Sequence, residues 1–313
     1  LATVRMWKRI GYKPPRNILL AFFADEEASG TYGSRWLVKN RPELFAGFSE
    51  AVSEVGGFSV TISGGHRLYL VEAAQKGIAW IKLSAKGTAG HGSFINTNNA
   101  VTKLSDAVSR IGNYQWPQVL TKTTGQFFKK VADLTGDKFD PKNVQPLLKH
   151  LGNAVKMLGA TISNTANPTM LEAGYKANVI PQNASAVIDG RFLPGYENEL
   201  HETIKKLAGD EIEFEILTGD IALESEFAGP LVEAMCKAIN VEDSAGIPVP
   251  YLMSGGTDNK ALHDLGIVGY GFSPLRLPED LDFFALFHGV DERVPIDGLK
   301  FGVRVLYEFL ENV

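Results

Sequence analysis

One stretch limits what this chain can fold into. An unbroken apolar run, Ile18-Leu19-Leu20-Ala21-Phe22-Phe23-Ala24, stops against three successive carboxylates, Asp25-Glu26-Glu27. The run reads as a buried strand. Ala28-Ser29-Gly30-Thr31-Tyr32-Gly33 then supplies small residues and glycines for a turn. Three acids at the end of a buried strand repel one another and lose hydration. A cation among them offsets both costs. On these residues alone a second reading stays open, with Asp25 as the N-cap of a helix whose first turn holds two glutamates favoured by the helix dipole.

The chain has 313 residues, enough for two domains. Its net charge of −5 argues against a nucleic-acid or anionic-membrane partner. No apolar run reaches the ~20 residues needed to span a bilayer. A single cysteine, Cys236, lies in a helical apolar pattern, so no disulfide framework is expected and a cytoplasmic setting is the expectation. Leu1 to Arg9 reads as an amphipathic helix that begins without a cap. The chain is accordingly read as a fragment that starts inside an element, with any leader upstream of it.

Further along, Glu50-Ala51-Val52-Ser53-Glu54-Val55-Gly56-Gly57 brings a second acid to the end of a short apolar segment. Glu54 is either a ligand there or a surface glutamate at a turn. Residues 60–83 alternate with β-branched positions and read as antiparallel strands, with a domain boundary near Ala74. In Gly87-Thr88-Ala89-Gly90-His91-Gly92-Ser93, glycines flank the histidine where a core histidine would have bulky neighbours; a flexible surface loop is the other reading. Asn99 to Ile111 reads as a helix, with Val101, Leu104, Val108 and Ile111 on one stripe. Residues 113–165, with helical stretches such as Val144 to Leu158, read as a helical elaboration of the same domain.

Asn178-Val179-Ile180-Pro181 leads into the alternating strand that carries Asp189-Gly190-Arg191. A guanidinium fork suits a substrate carboxylate. It suits Asp189 equally well, because the two share a face of the strand. Pro250 to Asp258 reads as a strand entering Ser254-Gly255-Gly256-Thr257, a backbone cradle for an anion or a tight strand-to-helix turn. His288, in Phe287-His288-Gly289-Val290-Asp291-Glu292, is a zinc donor type or a satisfied core histidine beside Phe287. Ile296 to Leu310 reads as a closing amphipathic helix.

Taken in order, Asp25-Glu26-Glu27-x-x-Gly30, Glu54 before its glycines, Gly87-x-x-Gly90-His91-x-Ser93, Asn178-x-Ile180-Pro181, Asp189-x-Arg191-x-x-Pro194-Gly195 and His288-x-x-Asp291-Glu292 resemble the dinuclear-zinc aminoacylase/carboxypeptidase family of metallopeptidases, which includes carboxypeptidase G, aminoacylase and succinyl-diaminopimelate desuccinylase. The resemblance implies an α/β fold. A zinc-peptidase catalytic domain, a mixed central sheet flanked by helices, would occupy 1–75 and 223–313, with an inserted α+β lid/dimerisation domain at 76–222. It implies Glu26 as general base, Glu27, Glu54 and His288 as metal ligands, and His91 reaching a partner subunit's site to polarise the scissile carbonyl. Asn178, Arg191, Gly255, Gly256 and Thr257 would hold the substrate. Two zinc ions are implied, with cobalt or manganese able to replace them, and a water bridging the metals would attack the amide of a dipeptide or N-acyl amino acid. A homodimer through the lid is implied as well.

Two departures stand out. Val55 separates Glu54 from the glycines, and the family's His-x-Asp and metal-bridging Asp have no counterpart in residues 1–24, which hold neither His nor Asp. Three of the family's five ligands are thus expected here, with weak zinc binding and little turnover by the chain as it stands. Carbamoyl or succinyl amides on the same fold, or a non-catalytic binding or dimerisation module, remain open.

Overall fold

Leu68 to Val71 are apolar on both faces, which suits a strand covered on both sides. In the computed structural model, which describes residues 1–313, the strand His66–Gln75 is buried from Leu68 onward. It is the spine of a six-stranded sheet. Ser59–Ile62 pairs with it antiparallel, Ile247–Met253 also pairs with it, and Val268–Gly271 meets it antiparallel at Glu72. Val268–Gly271 in turn pairs in parallel with Glu50–Ser53, which forms the sheet's edge. The helices Pro230–Glu242 and Ile296–Glu311 bury Met235, Ile239, Phe301 and Val305 with Tyr69 and Val71 of the spine. Pro230 sits at the start of its helix, where its missing N–H costs nothing.

These elements belong to one of two units, formed by Leu1–Ala74, Leu120–Gly159 and Glu224–Val313. The second is Gln75–Val119 with Ala160–Leu223. Residues 120–159, read from the sequence as part of the lid, therefore fall in the first unit. The helix Lys122–Thr135 packs on Ile247–Met253, burying Phe127, Phe128, Val131 and Ala132. The helix expected over 144–158 is broken into Gln145–Leu148, a 3-10 turn at Gly152–Ala154, and Val155–Gly159. Gly152, at φ +53, takes a left-handed turn that interrupts it.

The expected strand at 18–24 is absent. Glu50–Ser53 finds its ladder only with Val268–Gly271, and Ile18 to Ala24 pair with no strand. Phe23 packs against Phe45, with ring centroids 6.2 Å apart, but Leu19, Leu20 and Phe22 stay 44%, 44% and 75% exposed. Strand composition becomes a strand only where backbone partners exist.

In the second unit, Thr165–Ala173, Asn183–Phe192, Gly77–Lys86 and Ile212–Asp220 form an antiparallel sheet in that order. Alternation along Gly77–Lys86 sends Ala79, Ile81, Leu83 and Ala85 inward. There they meet Leu104 and Ile111 of the helix Ala100–Gly112 and Leu200 and Ile204 of the helix Glu197–Ala208. Asn99 caps the first of these, accepting from the Val101 and Thr102 amides. No helix in the chain is long and apolar enough to cross a membrane.

One buried polar knot ties the first unit's sheet to a loop. Asp243, 7% exposed, accepts from Arg67 Nη1 at 2.7 Å and from the Tyr69 hydroxyl at 2.9 Å. Burial alone would raise its carboxyl, but these two hydrogen bonds and the cation hold it below the usual carboxylate range. Breaking a buried pair from one side strands the other charge. Asp243→Ala is expected to cost about 3 kcal/mol at pH 7 in urea unfolding. Because the folded carboxyl is depressed, its contribution is complete above the unfolded value of about 4 and fades as pH falls below that. The variant and the parent chain should therefore converge in strong acid.

Candidate metal centre

The acidic turn is short and strained. Glu26–Ala28 form a single 3-10 turn, bracketed by Asp25 at φ +52 and Ser29 at φ +76. The other non-glycine residues with positive φ are His288, at +54, and Asp291, at +60. All four such residues thus flank or include the candidate ligands at the two ends of the chain. Backbone strain of this kind persists only where surrounding contacts enforce it.

Those contacts are visible. The Asp25 carbonyl accepts from the amides of Ala28 at 3.0 Å and Gly30 at 2.8 Å. Phe287, just before the histidine, packs its ring among Phe58, Phe283 and Phe284 at centroid distances of 6.4, 5.0 and 5.9 Å. His288 Nε2 then stands 3.9 Å from Glu27 Oε2, both side chains being largely exposed. That is too long for a hydrogen bond. Two donors on one tetrahedral zinc ion, each about 2.0–2.1 Å from it, lie roughly 3.4 Å apart. A half-ångström closure would let one ion touch both.

The electrostatics show how closely the acids converge. Glu26 is pushed up to about 7, first by burial and then by Glu54, Asp258 and Glu27, with His288 opposing. Withdrawal from water also raises Glu54, with Asp258 and Glu27 adding to it. Asp258 is raised by burial and by Asp25, against a hydrogen bond from the Ser34 hydroxyl and the charge of Arg35. Uncompensated negative charge of this kind is what a divalent cation relieves. Carboxylates with one imidazole are also a donor set that zinc accepts. No group of three histidine, cysteine, aspartate or glutamate side chains yet closes on a single point.

Asp258 is the acid that sequence reasoning missed. It follows directly on Ser254-Gly255-Gly256-Thr257. A helix start that turns an acid toward other acids was the available signal. In the same loop Thr257 is 5% exposed, and its hydroxyl accepts from the Asn259 amide at 3.2 Å. At Gly256 a Cβ would sit 2.8 Å from the Nζ and Cε of the buried Lys260, so a larger residue there would displace the end of that side chain. Ser254 Oγ is buried and has no partner.

His91, Asn178 and Arg191 lie on the second unit. The two-residue ladder of Gly90–His91 with Val179–Ile180, and the Gly92 amide donating to the Asn178 carbonyl at 2.9 Å, hold the first two residues in adjacent loops. His91 Nδ1 accepts from the Ser93 amide at 3.3 Å. A neutral ring therefore carries its proton on Nε2, leaving a donor free. Arg191 takes the local alternative: its Nε and Nη2 donate to the two Asp189 oxygens at 2.6 and 2.9 Å.

Comparison with known proteins gives these residues a context. Residues 73–213 match the peptidase dimerisation domain. The chain is 26% identical to human N-fatty-acyl-amino acid synthase/hydrolase PM20D1 across 96% of its own length and 62% of that protein's. It is 28% identical to mouse aminoacylase-1, covering 97% of itself and 66% of the relative. Human carnosine dipeptidase 1 superposes on 99% of the chain with a TM-score of 0.65 at 11% identity, over 69% of that structure. An M20 family metallo-carboxypeptidase from Sulfolobus solfataricus superposes on 92% with a TM-score of 0.62 at 18% identity, over 68% of that structure. These likenesses show the fold that the two solved proteins share, with a peptidase dimerisation domain matched at 73–213. The chain spans roughly three-fifths of the length of the first relative.

The crowding has a measurable consequence without metal. Glu26 has a raised folded value, so its contribution to stability is complete below its unfolded value of about 4.3 and is lost as pH rises through about 7. Glu26→Gln is expected to raise the melting temperature of the chelator-treated chain clearly at pH 8 and to leave it nearly unchanged at pH 3.5, below the unfolded value. Thermal scans at the two values check this.

Proposed function

We propose that this chain, similar to aminoacylase-1 and to a metallo-carboxypeptidase, supplies the base and part of the metal centre of a zinc-dependent hydrolase of amide bonds in N-acyl amino acids or dipeptides. One observation carries the reading: Glu27 and His288, from opposite ends of the sequence, converge to 3.9 Å beside Glu26, whose other charged neighbours Glu54 and Asp258 are acids.

Glu27 and His288 would hold one ion, and Glu54, with Asp258 nearby, would face a second. Zinc bound there acidifies water and polarises a carbonyl. Glu26 is the group placed to take a proton from the attacking water and return it to the leaving amine. Its raised value leaves it half-protonated near neutrality in the bare chain, and a nearby cation favours the ionised, basic form. His91, with its free Nε2 proton, donates to the developing oxyanion from the lid of a partner subunit. Arg191 and Asn178 meet the substrate's terminal carboxylate, which must draw the guanidinium away from Asp189. The dimerisation domain supports a homodimer.

A second reading, a binding or dimerisation module without chemistry, is favoured by the lack of three convergent donors. Assays of the zinc-loaded full-length protein on a panel of N-acyl amino acids and dipeptides separate the two. Glu26→Gln is expected to lower kcat about 10²–10⁴-fold with zinc retained. His288→Ala should weaken zinc binding instead. Activity that survives Glu26→Ala unchanged defeats the hydrolase reading.

A further inference from the structure

The Asp25 side chain has no role in the chemistry above, yet it is the most constrained residue of the acidic turn. It is not glycine but holds a left-handed backbone, φ +52 and ψ +29, where few residue types other than Asn and Asp are at ease. Its carbonyl takes two amides, from Ala28 and Gly30, and its carboxylate Oδ2 takes a third, from Tyr32 at 2.9 Å. The chain between Asp25 and Tyr32 is thereby cinched at three points. Gly33 completes the device. A Cβ there would lie 2.0 Å from the Ala24 carbonyl and 2.7 Å from Asp25 Oδ1, so the chain can close against Asp25 only with glycine in that position.

On the far side, the cinched turn abuts the other acid-bearing loop. At Gly30 a Cβ would meet Ser34 Oγ at 2.6 Å and Asp258 Oδ1 at 3.4 Å, where the Ser34 hydroxyl serves Asp258. Asp25 Oδ1 itself is buried and makes no hydrogen bond. One oxygen therefore carries the bracket, and the other only has to fit.

We propose that Asp25 is a positioning residue: by accepting the Tyr32 amide from a left-handed backbone it fixes the direction of Glu26 and Glu27, and so the zinc affinity of the centre. The inference rests on the metal-centre reading of the previous section. The role is geometric, a matter of acceptor and backbone rather than of charge. Asparagine keeps both features, since it tolerates the left-handed region and its side-chain oxygen can accept the same amide. Alanine keeps neither. Glycine keeps the backbone and loses the bracket.

Zinc affinity is measured on the full chain by competition with a chromophoric chelator, and exchange of the Tyr32 amide is followed without metal. Outer partners of metal ligands commonly control affinity by 10–100-fold. Asp25→Ala and Asp25→Gly should each bind zinc at least about tenfold more weakly, with the Tyr32 amide deprotected. Asp25→Asn should stay within about threefold of the parent chain, with that amide protected. Asp25→Gly, free of backbone strain, gives the answer if the alanine variant misfolds. Parental zinc affinity in the glycine variant overturns the proposal. So does an asparagine variant as weak as alanine, because charge would then be what matters. A parent chain that protects the Tyr32 amide but binds no zinc sinks the metal centre itself, and the bracket's function with it.

Discussion

Mutual repulsion among Glu26, Glu27, Glu54 and Asp258 is the constraint the first unit is built around. Like charges left to themselves move apart or take up protons, and here the backbone prevents the first. Glu54 follows the edge strand Glu50–Ser53, and Asp258 follows Ile247–Met253, so both leave the carboxyl ends of sheet strands. Ligand sites in open α/β sheets form at such ends. The remaining acids come from a turn held in left-handed conformations, and the opposing imidazole from another residue of the same kind. Strain at these four positions is what it takes to hold the acids together against their repulsion.

The crowding is met on one side by a single imidazole. Glu27 and His288 face one another without a direct hydrogen bond, and the histidine's backbone is anchored by the phenylalanine cluster of residues 58, 283, 284 and 287. The second unit answers a different need. Its sheet and two helices form an independent core; a loop carries His91, whose Nδ1 faces Ser93, and the strand Asn183–Phe192 carries Arg191 paired with Asp189. A guanidinium paired bidentately with a neighbouring carboxylate is held in one orientation.

Much of this was legible in the sequence because the informative residues are locally specified. Glycines around His91, the alternation within 60–83 and the helical stripe over 99–111 each carry their structure in a few residues. What failed depended on distant partners. Ile18 to Ala24 has the composition of a strand but no ladder to join. Residues 120–159 show helical periodicity, which says nothing about which sheet receives the apolar stripe; Phe128 and Val131 go to the first unit. The place of Asp258 among the acids depends on the helix that begins at Asn259 and on a turn more than two hundred residues away in sequence. Arg191 was left between two partners by its sequence, and the structure takes the nearer one.

Whether one ion joins the two ends of the chain is open to direct observation. Crystals of the full chain grown with zinc, recorded at the zinc absorption edge, should show an anomalous peak about 2.0–2.2 Å from both the Glu27 carboxylate and His288 Nε2. An intact fold with no peak between them, or with zinc held only by other residues, would contradict the central claim.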